Sequence, residues 1–429
     1  MRYSLLNFIE CPVSKTELTC LVLKETAIPA AHVRLTECGR VNQSDAMFGP
    51  TPQFGTQTWL TEFLQSHACE PAPASRNSAV VVEEGLLISG ETGRWYPIRN
   101  FIPEILPDHL RDIKGDLEYL RGLEERLPTE LFERLCDEKL FSANDAERDI
   151  GIAHKRAEIT ISTKVDDSSF FIPGYISPFH PGASDHTMYL IRLFSFCLPL
   201  LSQGGQNKII LDSGCGYSWT TEWLYKIGFE PIGVDITRTY LDIAVSRTGA
   251  WLPHVMVADT ENLPIKAEAI DAVLCYEAFH HIPDRNRAMK GFFRVLKPGK
   301  RVLLAEPGLD HEKAQVAIDV MQKYGILERG MDLAAIEGYA RGTDFLKPKK
   351  HCILEADDSV PREALLTDEC WKQYSFNNSN LYSLEKPAPR LPECDPVPPE
   401  STRPINRSRI FDLLAGLGRR LQPRLRLHR

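Results

Sequence analysis

Between residues 171 and 350 the hydrophobic pattern keeps changing period. Short apolar runs, KIILDSG, FEPIGVDI, HVMVADT, AVLCYEA and RVLLAEPG, are too short for helices and rich in β-branched residues. Stretches with apolar residues every three or four positions separate them. Strand and helix in turn predict an α/β fold: a doubly wound, mostly parallel sheet with helices on both faces. Sheets of this kind bind ligands at the carboxyl ends of their strands.

The flanking regions read differently. Residues 1–105 hold two strand-like apolar ends, Tyr3 to Ile9 and Val80 to Ile88, around a long middle that turns Ala/Pro/Ser-rich at Cys69 to Ser78 and reads as an inserted loop. In 106–170 charges alternate with leucines, as in LRDIKGDLEYLRGLEERL, predicting a connector of solvated helices. Residues 351–384 form a C-terminal extension. From 385 the chain is proline-rich, as expected of a linker, and it ends on a basic segment, RIFDLLAGLGRRLQPRLRLHR. There Phe411, Leu414, Leu417 and Leu421 fall near one helical face among arginines. Such a segment can lie on an anionic membrane surface, or, since Pro423 and two glycines weaken it as a helix, form a disordered basic tail.

Composition narrows the class. Charged residues make up 25% and hydrophobic ones 43%, as in soluble globular domains, and no apolar stretch is long enough to span a membrane. The net charge of −8 argues against a surface built for nucleic acid. The 11 cysteines lack close metal-type pairs and their odd number resists full disulfide pairing, which fits a cytoplasmic protein. No metal site is expected.

The chemistry gathers at the strand ends. Asp212, Gly214 and Gly216, in ILDSGCGYSW, form a glycine corner between a strand and a helix, where the backbone can approach a ligand closely. Asp235 ends the next strand, 23 residues on, and can accept from both hydroxyls of a ribose. Asp259, with Thr260 beside it, can accept from an adenine amino group or cap a helix. A dinucleotide site is the nearest alternative, but the corner lacks the third glycine of GxGxxG.

In this order and spacing the segment 171–310 resembles the class I S-adenosylmethionine-dependent methyltransferases. The resemblance implies a Rossmann-like fold with S-adenosyl-L-methionine as cofactor. The glycine corner would bind its amino acid end and Asp235 its ribose, with Asp259 near the adenine and Ile236 packed on the ring. His280 and His281, after the fourth strand, stand where the acceptor comes, and either can act as acid or base or serve as a structural cap. Glu277 and Glu306 end strands at the same rim, where they can orient an acceptor or a helix start. Tyr175, His180 and His186, in a turn-rich segment before the first core strand, are candidates for lining the acceptor pocket.

The resemblance leaves the acceptor open. Methyltransferases acting on planar nitrogens often carry N/D-P-P-Y/F after the fourth strand, and here that position reads CYEA. A hydroxyl or carboxylate on a small metabolite, a glycan or a lipid-linked precursor is the expected acceptor, met in the cytoplasm or at a membrane periphery. RNA or protein methylation is one alternative. A silent cofactor-binding scaffold is another.

The N-terminal stretches MRYSLLNFIECPVSKTEL and LLISGETGRWYPIRNFIPEIL resemble the two halves of the small zinc-ribbon proteins that activate tRNA and protein methyltransferases, implying a small α+β ribbon-like domain. Only Cys11 remains of the thiols. Ser14, Ser89 and Thr92 stand at the other three positions, and alcohols do not replace thiolates on zinc. Leu5, Phe8, Ile9, Tyr96, Ile98, Ile102 and Ile105 are then expected to stabilise the domain by packing on a larger neighbour.

Overall fold

The computed structural model describes residues 1–28, 59–66, 80–141, 149–161, 185–203, 208–249, 254–351, 353, 367 and 380–389. Tyr175, His180, the proline-rich segment beyond residue 389 and the basic tail lie outside them, as does the side chain of His186.

Seven strands make the larger sheet, in the order β10 (Lys349–His351), β11 (Leu381–Glu385), β9 (Leu296–Ala305), β8 (Ile270–Tyr276), β5 (Ile209–Ser213), β6 (Glu230–Asp235), β7 (His254–Val257). Five of them run parallel in the order β9-β8-β5-β6-β7, while β11 is antiparallel to both neighbours, β9 and β10. The central strands are buried along nearly their whole length, so they read as continuous apolar runs. The strand order reverses between β5 and β8, and that crevice is where an open α/β sheet takes a ligand. β11 lies in the stretch expected to be an extension outside the domain. Its alternating LYSLE was hidden behind a long insertion, yet Tyr382 and Leu384 are core residues.

The first 105 residues build a separate antiparallel sheet, β1 (Leu18–Ala27), β2 (Val80–Ser89), β3 (Trp95–Arg99) and β4 (Ile102–Pro103). Tyr3 to Asn7, expected to belong to a strand, is a 3-10 turn. Adjacent Leu5 and Leu6 break the two-residue alternation, while Tyr3 and Leu5 both reach the core. The pairing strand of β2 is β1 instead, from the segment read as insertion.

This sheet meets the larger one at its edge. The amide of Ile105, just past β4, donates to the Val257 carbonyl at 2.8 Å, and Glu104 forms a parallel bridge with Val257 of the edge strand β7. Ile9 pairs with Ile265, Lys266 N donates to Phe8 O and Glu10 N to Pro264 O. Leu5, Phe8, Ile9, Tyr96, Ile98 and Ile105 share one core cluster with Met256, Leu263 and Ile265, and Ile102 joins Leu241, Val255 and Val257. The expected packing on a larger neighbour is observed.

The charge-rich segment is not a free connector. Helices α2 (Ile113–Arg121) and α3 (Thr129–Leu135) lay Leu117, Leu120, Leu131 and Leu135 on the outer face of the first sheet, against Leu86, Ile88 and Trp95, together with α1 (Trp59–Ser66). The next helix, α4 (Ile152–Ile159), turns its buried Lys155 toward the end of β7. Leucines at helical spacing amid charges were read as a solvated stripe because their partner sheet is distant in sequence.

Candidate active site

At the end of β5 the chain turns through Gly214 and Gly216, both at positive φ (74° and 51°), into α6 (Trp219–Lys226). A side chain at Gly214 would strike Ala278, so the corner is pressed against the loop after β8. Gly216 differs: nothing lies within 4 Å of where its Cβ would be. Asp212 is buried, with Oδ2 accepting from the hydroxyls of Thr220 (2.7 Å) and Thr221 (2.6 Å), while its Oδ1 has no partner. Burial raises its carboxyl to about 6 against those two bonds.

Asp235, at the end of β6, accepts from Gly216 N with one oxygen and Thr237 N with the other, both at 2.8 Å. Burial lifts it to about 6 despite these bonds. Each oxygen keeps a lone pair for a further donor. Tyr217 of the corner and Tyr240 of α7 (Arg238–Thr248) pack ring to ring, with centroids 4.7 Å apart. Ile236 is half-buried beside the Leu241 cluster.

Asp259 caps the short turn that contains Thr260. Its Oδ1 accepts from Glu261 N (3.0 Å), and its Oδ2 from Lys155 Nζ (3.0 Å) and Asn262 Nδ2 (2.5 Å). Lys155 also reaches Asp149 (2.8 Å) and Glu261 (2.6 Å). Burial pulls its ammonium down, but Asp259 and Glu261 hold it above its usual value. Thr260 Oγ1 lies 2.9 Å from Ser213 Oγ, tying the β7 end to the β5 end.

After β8, Glu277 stands at φ 49°, and its carboxylate accepts from Tyr189 OH at 3.3 Å. Burial raises Glu277 to about 7. Glu306, fully buried at the end of β9, accepts from the amides of Ala278, Phe279 and His280 and sits 2.8 Å from His280 Nδ1. It orients the turn rather than a ligand. His280 has its Nε2 3.4 Å from Glu328, so both ring nitrogens face carboxylates. Burial lowers the imidazolium, but Glu306 and Glu328 raise it to about 10. His281 differs: its Nδ1 is 2.6 Å from the Leu327 carbonyl, and enclosure beside charged His280 lowers it to about 4. A carbonyl only accepts, so Nδ1 carries the proton and the neutral ring presents Nε2 as an acceptor.

Several groups at this rim were missed by sequence reasoning. Glu158 of α4, raised to about 8 by burial and by Asp235, faces the site from the segment read as connector. Glu328 and His311 arrive from the chain beyond β9, with His311 Nε2 2.7 Å from Glu328. No spacing rule marks them. The paired threonines of WTTEW, right after the glycine corner, were visible and went unused.

The corner fits the cofactor that the resemblance implies. An unpartnered buried carboxylate oxygen suits an ammonium group, the open space at Gly216 suits close backbone approach, and Asp235 suits a ribose.

Comparison with known proteins agrees on both regions. Residues 211–304 match the model of a methyltransferase domain, and residues 2–100 that of a Trm112p-like protein. The methyltransferase GfsG of Streptomyces halstedii is 30% identical over 135 residues, which is 30% of this chain and 49% of that protein. A ubiquinone biosynthesis O-methyltransferase of Coxiella burnetii is 29% identical over 102 residues, 23% of this chain and 44% of that protein. The chain thus spans less than half the length of these curated relatives. Among solved structures, a complex between the Haloferax volcanii Trm112 methyltransferase activator and a methyltransferase matches with a TM-score of 0.35 at 17% identity, over 46% of this chain and 91% of that one. No described helix is long and apolar enough to cross a membrane.

Proposed function

We propose that this chain, in which a class I S-adenosyl-L-methionine-dependent methyltransferase domain follows a Trm112p-like domain, methylates an oxygen on a small metabolite, a glycan or a lipid-linked precursor. The observation that carries this reading is His281, whose Nδ1–H is committed to a backbone carbonyl and whose Nε2 is therefore left unprotonated to accept a proton. A hydroxyl acceptor needs such a base, because its proton must leave as the methyl arrives. The cofactor supplies a methyl on a sulfonium, whose departure leaves a neutral sulfide.

The chain's own residues do the rest. Asp212, Gly214 and Gly216 receive the amino acid end of the cofactor and Asp235 its ribose, with Ile236 packed on the adenine and the Asp259–Thr260 turn beside it. His280, pinned between Glu306 and Glu328, positions the loop that bears His281. Glu277 lies at the same rim and helps bind the acceptor, and we assign Tyr175, His180 and His186 to its pocket from sequence alone. Correct placement supplies most of the acceleration. A lipid-linked acceptor would be met at a membrane surface by the basic segment 409–429.

Support for oxygen comes from a curated relative named as an O-methyltransferase and from CYEA in place of N/D-P-P-Y/F. The Trm112p-like match favours a second reading, RNA or protein methylation, which the net charge of −8 opposes. Radiolabelled methyl donor incubated with fractionated extracts separates them. Label is expected in small molecules, glycan or lipid, and label confined to RNA or protein would overturn the first reading.

A further inference from the structure

We propose that His280, His311 and Glu328 form a divalent-cation site beside the glycine corner, of the mixed imidazole and carboxylate kind that takes zinc, cobalt or iron(II). Glu328 Oε2 lies 2.7 Å from His311 Nε2 and 3.4 Å from His280 Nε2. All the ligand atoms fall within 4.8 Å of one another. Metal bonds of about 2.0–2.2 Å separate tetrahedral ligand atoms by about 3.4 Å, the spacing His280 and Glu328 already have, while the His311–Glu328 pair must open by under an ångström.

Two of the three ligands, His280 and Glu328, are held from behind, as metal ligands require. His280 has its Nδ1 against Glu306, and the three amide bonds to Glu306 fix that carboxylate in turn. This leaves Nε2 facing Glu328. Glu328 sits between Leu327, whose carbonyl accepts from His281, and Arg329, whose guanidinium donates to the carbonyls of Ile282 (2.9 Å) and Pro283 (3.1 Å). Arg285 donates to the carbonyls of both His280 (2.8 Å) and Arg329 (3.0 Å), clamping the two loops together.

The set is also open on one side. His280 is almost wholly buried, whereas the His311 side chain is 29% exposed. A site with three protein ligands and an open position is the arrangement of catalytic rather than structural metals. Gly214 backs directly on Ala278, two residues before His280, so the cluster lies next to the glycine corner. A cation there would hold an oxygen of the acceptor. That use of the site rests on the oxygen-acceptor reading above, whereas the site itself does not.

The test uses the full chain, stripped with a chelator and titrated with cobalt(II) by visible absorption and with zinc by calorimetry, without any acceptor. One equivalent is expected. His311→Ala and Glu328→Gln should each weaken uptake at least tenfold while changing S-adenosylmethionine affinity less than twofold, which shows the fold intact. No stoichiometric uptake, uptake indifferent to both variants, or cobalt bands of thiolate type would overturn the site and leave a hydrogen-bonded bridge only. Loss of the oxygen-acceptor reading would leave these outcomes unchanged.

Discussion

Two tight corners of this chain resemble ligand sites, and they have been treated in opposite ways. At the ribbon corner the thiol positions hold Ser14, Ser89 and Thr92, and the hydroxyls satisfy one another. Ser14 Oγ meets Thr16 Oγ1 at 2.8 Å, Thr16 Oγ1 meets Ser89 Oγ at 2.7 Å, and Thr92 donates to Ser89 Oγ from its hydroxyl (3.0 Å) and its amide (3.2 Å). Cys11 is buried, with its sulfur 3.2 Å from Tyr96 OH. At the glycine corner the polar groups are not closed on themselves: Asp212 keeps an unpartnered buried oxygen and Gly216 faces open space. A site kept for a ligand bears unsatisfied, desolvated groups, and a site that has become structural has none.

Breaking the glycine corner should give the largest effect. Asp235→Ala removes the proposed acceptor for both ribose hydroxyls, at about 1.5–3 kcal/mol for each charged hydrogen bond, so cofactor affinity should fall by about 10²–10⁴-fold in calorimetry. Undiminished binding would remove Asp235 from the ribose role. The equivalent injury at the ribbon corner should leave affinity nearly untouched.

A sharper question is whether the two regions stand or fall together. Ile105 is fully buried in the cluster that spans both sheets, so Ile105→Ala should cost about 2–4 kcal/mol of stability. Scanning calorimetry should show one transition moving down. Two separable transitions, only one of them shifted, would mean that the edge-to-edge contact does not make a single cooperative unit.

The pH dependence of binding sharpens the comparison further. Asp235 is held at about 6 by burial, with Asp212, Glu158, Tyr217 and Tyr240 around it. Folding favours its protonated form, so its ionisation costs stability as pH rises through 6, whereas ribose binding favours the carboxylate. Between pH 7 and pH 5 the affinity should therefore drop about tenfold, and titration of Asp212 over the same range would steepen the fall. Flat affinity from 7 to 5 would show that the ionised carboxylate is not what the ligand uses.

Much of the glycine corner was legible because its information is local. Asp212, the glycines and Asp235 lie within one strand-helix-strand step, and β-branched runs mark the strands on either side. Lys155, Glu158, His311 and Glu328 reach the same rim through packing between distant segments, and nothing in their immediate sequence distinguishes them from solvated charges. The same limit hid β11 behind its insertion and made α2 and α3 look like a connector. At the ribbon corner, loss of the thiols was plain from the sequence. That the alcohols replace the metal with a closed hydrogen-bond chain follows only from the geometry.

The smallest predicted effect tests that closure. Ser89 is fully buried and central to the chain of hydroxyls, so Ser89→Ala leaves Thr16 Oγ1 and the Thr92 amide each short of a partner. The expected loss is about 1 kcal/mol, a few degrees or less in Tm for a chain of this length, with cofactor affinity within twofold. Thr92→Val, which keeps the shape and deletes the hydroxyl, should cost a similar amount. In the double variant the costs should not add, because both substitutions cut the same link. Strict additivity would mean that the two hydroxyls act separately and that the corner is held by its apolar surroundings alone. Coupling would show that the ribbon keeps its shape through the bonds that occupy the place of its metal.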